Sequence, residues 1–205
     1  MSQASVRMFR SDFLERFSHI PPWQPLALFA PLIIHLTWSA VVVHGIALPV
    51  FAARWVTGVA TWTLVEYGLH RTLFHSRPRG RLGRRLAWIV HGVHHDWPHD
   101  DRRLLFSPAL SVPIAAALWI ALTMVGGAPL REPFGAGFAS GYLAYDMLHY
   151  WIHRGGRGAR VGRYLRHRHL THHFQAPARN FGVSSPLWDW VFRTSVDVDL
   201  PRASE

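Results

Sequence analysis

Cysteine is absent from this chain of 205 residues. Disulfide scaffolds, thiolate zinc sites, iron–sulfur clusters and cysteine nucleophiles are thereby excluded, and the redox compartment cannot be read. Lysine is absent too. All 22 basic residues are arginine, set against 12 acidic residues, for a formal net charge of +10. Charged residues make up only 17% of the chain, below the roughly 25% of an average soluble domain. Hydrophobic residues reach 49%, with 10 Trp and 12 Phe, so a disordered chain of low hydropathy is excluded. No repeat of fixed period appears. There is no His-Glu-x-x-His and no Glu-x-x-His, so the common zinc-protease motif and the soluble di-iron carboxylate bundle are missing. The length suits one domain, or one domain and a short arm. What is abundant is histidine, with 15 residues.

Four apolar stretches stand out, at about 26–44, 46–69, 108–126 and 134–152. The first is broken by His35, Thr37 and Ser39. The second carries Arg54 and Glu66, the third has no charge, and the fourth has Asp146 and His149 near its end. Each is close to the ~20 residues that a helix needs to cross a bilayer. None has a polar face at the helical period. The expected fold is all-α, an integral membrane protein with four transmembrane helices. Arginines set its orientation. Residues 1–25 hold three, 71–103 eight and 154–205 nine, while Arg54 and Arg131 alone flank the two hairpin loops. Positive charge marks the cytoplasmic side. Both termini and a cap of residues 70–107 and 153–205 are therefore expected there. Arginine among Trp and Phe beside apolar spans suits anionic lipid headgroups rather than nucleic acid. Residues 1–25 read as an interfacial arm with Phe9, Phe13 and Phe17 on one helical face. They are not a cleavable signal peptide, because no apolar core follows the basic residues before Pro21-Pro22.

Ten histidines fall in four clusters, each at or beyond the cytoplasmic end of a span. They are His70 and His75; His91, His94 and His95; His149 and His153; and His169, His172 and His173. Residues at i, i+3 and i+4 share one helical face. His70 and His75 are five apart, about 140° round an α-helix, so one of them is expected past the helix end. Neutral imidazole ligates iron, zinc and copper. Ten ligands are too many for one ion. They suit two ions with four or five ligands each, and a shared or open position for a small molecule. His19, His35, His44, His99 and His167 fit no cluster. Asp146 lies three before His149 at membrane depth, and the N–H of a metal-bound imidazole is its expected partner. Glu66 stands in the same relation to His70.

The clusters, in this order and between these spans, resemble the fatty acid hydroxylase superfamily of membrane proteins, which includes sterol desaturases. Within it they look most like fatty acid 2-hydroxylases. Three stretches carry the resemblance: His91-Gly92 with His94-His95, Pro98, Asp100, Arg103, Leu104 and Pro108; Gly141-Tyr142 through Tyr145-Asp146 to His149-Tyr150; and His172-His173-Phe174, Phe181-Gly182 and Leu187-Trp188-Asp189. It runs from about Val59 to Thr194. It implies a hydroxylase domain over 26–205, with a histidine-rich dimetal cap whose ligands are the ten clustered histidines. It implies O₂-dependent hydroxylation at C2 of an acyl chain on a free fatty acid, an acyl ester or a ceramide. Asp146 and Tyr145 carry over as residues that support the metal centre. Many members carry a fused cytochrome b5 domain with a His-Pro-Gly-Gly motif. That motif is missing here, so a separate electron donor such as cytochrome b5 or ferredoxin is expected.

The chemistry points the same way. An unactivated C–H bond needs an oxidant stronger than any side chain, so a redox metal must supply it. Iron fits an open all-imidazole site, and zinc, which binds such a site equally well and is the expected occupant in isolated protein, cannot activate O₂. Two rivals remain at this stage. One is a sibling oxygenase, such as a sterol desaturase, sterol methyl oxidase or carotenoid hydroxylase. The other is a non-enzymatic metal carrier, which would need ionisable ligands near mid-membrane. Only His35 lies deep in a span. Substrate-binding residues are not readable.

Overall fold

The computed structural model describes residues 6–156 and 158–196, without the side chain of Ala128. Among these residues the chain is helical, with no strand. A short helix α1 (Asp12–Arg16) precedes α2 (Trp23–Trp38), which runs on through a π-turn at Ser39–Val43. Gly45, at φ 60°, ends it, and α3 (Leu48–Gly68) returns with Pro49 in its first turn and a second π-turn at Leu69–Phe74. The cap follows as α4 (Arg81–Ala87), a third π-turn at Trp88–Gly92, and α5 (Val93–Asp96). Next come α6 (Pro108–His153), α7 (Arg160–Phe174) and α8 (Leu187–Val191).

Helix α6 is two limbs. Ser107 caps its start, with Pro108 in the first helical position, where the missing N–H costs nothing. At Gly127 the backbone takes φ 59° and ψ −169°, a conformation open to glycine, and the helix folds back. The reversal is seen in pairs that a straight helix would hold far apart at ~1.5 Å per residue. Arg131 lies over the ring of Trp119 at 4.9 Å, and Ser111 and Tyr142 line one cavity.

Three helices are long and apolar enough to cross a membrane: Trp23–Val43, Leu48–Phe74 and Pro108–Gly127. Their large side chains, among them Ile34, Val42, Leu48, Val56, Ile120 and Met124, point outward, a cost in water but not in lipid. The second limb of α6 is different. It is the buried centre of the bundle, rich in small residues. A Cβ on Gly137 would collide with the carbonyl of Trp55, and one on Gly58 with that of Phe134. Small residues here let two backbones touch. Around this contact Phe29, Trp62, Phe138, Tyr142, Tyr145 and Ile152 form the core.

The N-terminal arm is tied to the cap. Glu15 accepts from the N–H groups of Met8 (2.9 Å) and Phe9 (2.8 Å) and from the buried guanidinium of Arg103 (2.5 Å). Phe13 and Phe17 are exposed and pack edge to face at 5.0 Å, whereas Phe9 turns partly inward. The expected three-phenylalanine face is thus a pair.

Candidate metal centre

All ten clustered histidines come together at one end of the bundle, in two groups of five. Set one is His70, His75, His91, His95 and His172; set two is His94, His149, His153, His169 and His173. Within each set the candidate ligand nitrogens lie within 4.8 Å of one another.

The local backbone explains who meets whom. Where α3 widens into a π-turn, the N–H of His75 reaches the carbonyl of His70 at 3.3 Å. This i→i+5 pairing brings residues five apart onto one side, as α-helical pairing does for residues four apart. The rings of His70 and His75 stand 5.1 Å apart. The 140° separation expected of an α-helix does not hold, because this turn is not an α-helix. The two HxxHH runs are also split. His91 and His95 join set one while His94 joins set two; His169 and His173 join set two while His172 joins set one. Positions i+3 and i+4 diverge by about 100° on a helix, enough for neighbours to face two centres. The expectation of one shared face per run is corrected accordingly.

Nε2 atoms face inward. In set one, His75 and His172 stand 3.0 Å apart, as do His95 and His91. In set two the separations are 2.9–3.1 Å among His94, His149, His153, His169 and His173. Imidazole binds divalent metals at roughly 2.0–2.1 Å, so ligands at right angles stand about 3.0 Å apart and tetrahedral ones about 3.4 Å. The observed spacing matches the right-angled arrangement.

The protonation states agree. Burial and the neighbouring imidazoles push His91, His94 and His169 well below the ordinary histidine range. Burial, with His172 and Arg77 nearby, lowers His75 to about 4; burial, with His75 and His149, lowers His95 to about 3. Neutral rings are the metal-binding form. His70 donates Nδ1–H to the carbonyl of Phe181, and His172 donates Nδ1–H to that of Arg179 at 2.7 Å, which leaves each Nε2 as the lone-pair donor. The Nε2 of His70 is buried with no hydrogen-bond partner among the described residues. The residues present therefore fit a pair of metal ions.

The other candidates are placed as follows. Tyr145 stacks on His149, with centroids 5.8 Å apart and planes at 13°. Asp146 is fully buried, and its Oδ1 accepts from the backbone N–H of Phe106 at 3.1 Å. Glu66 accepts from the N–H groups of Val183 (2.6 Å) and Ser184 (2.9 Å) and from the Ser184 hydroxyl. Neither carboxylate bonds to an imidazole among the described residues; both hold backbone beside the histidines instead. His19, His35, His44, His99 and His167 join neither set. Asp189 belongs to the Leu187-Trp188-Asp189 stretch named above, but its pairing with Arg168 left no mark in the sequence. Arg168 resembles its basic neighbours in sequence, yet it is 1% exposed and bonded to Asp189 at 3.0 Å.

Beneath both sets lies apolar space. A small pocket is lined by Trp62, Glu66, Leu69, Phe74, Phe106 and Tyr145. Phe74 stacks on His91 of set one, and Tyr145 on His149 of set two. Trp62, Leu69 and Phe106 also line a second pocket, with Phe29, Leu36, Ser111, Trp119, Phe138 and Tyr142. The two pockets thus share three apolar walls, and the upper one is bounded by rings that stack on histidines of both sets.

Fold and site together define a histidine-cluster helical protein with membrane-length helices. The model of the fatty acid hydroxylase family matches residues 55–194, and the chain belongs to that family. It is an oxidoreductase, a hydroxylase. The chain is 33% identical to the dihydroceramide fatty acyl 2-hydroxylase FAH1 of Arabidopsis thaliana, over 97% of this chain and 84% of that one. It is 32% identical to the fatty acid 2-hydroxylase of Rattus norvegicus, over 93% of this chain and 57% of that one. The solved structure of full-length scs7p, with only its hydroxylase domain visible, superposes with a TM-score of 0.85 at 30% identity. That match covers 93% of this chain and 72% of the other.

Proposed function

We propose that this protein is a membrane-embedded, O₂-dependent di-iron hydroxylase that acts at C2 of a lipid acyl chain. The observation that carries the reading is the pair of five-imidazole sets over apolar space. Relatives named as fatty acid 2-hydroxylases support the position and the substrate class. A bound iron pair would supply the O₂-dependent redox chemistry that no side chain can provide. The ten clustered histidines would hold it, five to each ion, all neutral. Glu66 and Asp146 hold the backbone of Val183–Ser184 and of Phe106 beside the site, and so keep the rings aimed. The walls contributed by Trp62, Leu69, Phe74 and Phe106 exclude water and take the acyl tail. Holding the tail this way sets which carbon meets the centre. Electrons come from a separate donor protein.

The arginine split supports four crossings, with both termini and the cap on the cytoplasmic side. Cysteines in place of Ser76 and Met124 should then label from opposite faces of intact cells. The activity is tested with purified, ferrous-loaded protein, a chemical or protein reductant, ¹⁸O₂ and an acyl lipid. The expected product carries one ¹⁸O at C2. Unlabelled product, or oxygen placed only elsewhere, overturns the proposal.

A further inference from the structure

One segment, residues 179–184, supports set one without contributing a histidine to it. Two of its carbonyls receive Nδ1–H groups: that of Arg179 from His172 at 2.7 Å, and that of Phe181 from His70. Between them sits Asn180, fully buried at φ 53°, in the left-handed region that asparagine tolerates better than most residues. Its N–H donates to the carbonyl of Thr194 at 2.9 Å, and its side-chain oxygen accepts from the N–H of Val196 at 2.9 Å.

Asp189 holds this segment in place. Its Oδ1 accepts from the N–H of Phe181 (2.9 Å) and the hydroxyl of Thr194 (2.7 Å). Its Oδ2 accepts from the N–H of Gly182 (2.8 Å) and the guanidinium of Arg168 (3.0 Å). Asp189 is 0% exposed and Arg168 1%. Burying such a pair costs desolvation that its attraction only partly offsets, so it is weak as a source of stability. What four converging bonds do provide is a fixed position. Arg168 also precedes His169 on α7, the helix that serves both sets.

We infer that Asp189, seated by Arg168, is a positioning residue for set one. It fixes the backbone of 180–182 so that the Phe181 and Arg179 carbonyls hold His70 and His172 with Nε2 inward. Set two takes nothing from this segment: the buried Nδ1 atoms of His94, His169 and His173 have no hydrogen-bond partner among the described residues, and His149 and His153 lie against the carbonyls of Leu104 and Pro98 instead. The effect of Asp189 is therefore confined to one of two adjoining sites. The inference rests on the two-ion reading above.

The test uses full-length protein in detergent, with Co²⁺ as the probe, followed by visible absorption and metal analysis. Two backgrounds isolate the sites. His75→Ala disables set one and His173→Ala disables set two. Asp189→Asn places an amide where a carboxylate faced the Gly182 N–H and Arg168. In the His173→Ala background it should weaken Co²⁺ binding by about 10–100-fold, the usual cost of losing a group that orients a ligand. In the His75→Ala background binding should stay within about twofold of the parent, a difference that general loosening of the fold does not produce. Equal weakening in both backgrounds, or in neither, overturns the inference. Thr194→Val removes one of the four donors and carries the same comparison if Asp189→Asn does not fold. A wild type that takes up fewer than two Co²⁺ overturns the two-ion reading and this inference with it. Two ions with no site-selective effect overturn the inference alone.

Discussion

Set two draws all five of its histidines from α-helix: His94 on α5, His149 and His153 near the end of α6, and His169 and His173 on α7. Set one draws His70 and His91 from π-turns and His75 from the residue that closes one. An i,i+4 pair on an α-helix presents two rings side by side with no outside help. A π-turn is a rarer conformation, often found at functional sites, and it must be held by its surroundings. Set one accordingly leans on carbonyls from 179–181, while set two leans on helix geometry and on the carbonyls of Leu104 and Pro98 beside His149 and His153. Two sites of the same composition can thus differ in what keeps them in shape.

The largest effects come from removing a ring. His169 stands within 3.0 Å of His149, His153 and His173. His169→Ala should lower turnover by at least about 100-fold and leave one ion per chain, and His75→Ala should do the same from the other side. Metal analysis and product formation check both. Retention of two ions by either variant would erase the distinction between the sets.

Next in size are the carboxylates that hold backbone. Asp146→Asn keeps an acceptor for the Phe106 N–H but loses the charge, and turnover should fall about 10–100-fold at normal expression. Glu66→Gln, on the side of set one, should act likewise. Full activity in either would make that residue a bystander.

Gly137→Ala sharpens the contrast differently, because it strikes the helix contact below both sets. Its methyl would meet the Trp55 carbonyl, an overpacking cost of about 1–3 kcal/mol. At about 2–4 °C per kcal/mol for a chain of this size, thermal unfolding should come roughly 2–12 °C lower, with neither site favoured. The smallest effect belongs to His99→Ala, an exposed residue in neither set. Its product formation should stay within about twofold of wild type.

The helices and the ten histidines were legible because each leaves a pattern: apolar runs of bilayer length, and rings at spacings of three to five. Which ring joins which set was not legible, although one run per ion would have left His70, His75, His149 and His153 idle, so that the runs must interleave. That assignment depends on π-turns, which have no sequence signature as clear as a proline or a glycine, and on the 100° between His94 and His95 and between His172 and His173. The carboxylate partners were also hidden. Glu66 and Asp146 bond mainly to backbone N–H groups, as Asp189 does in two of its four bonds, and every residue carries such groups, so no pattern marks them. Arg168 stood among arginines that face outward and could not be told from them.

The fold-back at Gly127 bears on how such a chain enters its membrane. The second limb of α6 carries Glu132, Asp146 and His149, a load that makes solitary insertion of a helix unfavourable by a few kcal/mol per charge. Its neighbour, Pro108–Gly127, is uncharged and apolar. A single glycine joins them with no intervening loop, so the two limbs can enter during synthesis as one hairpin. The partitioning energy of the first then offsets that of the second. A side chain at position 127 would oppose that bend before any histidine had met its neighbours.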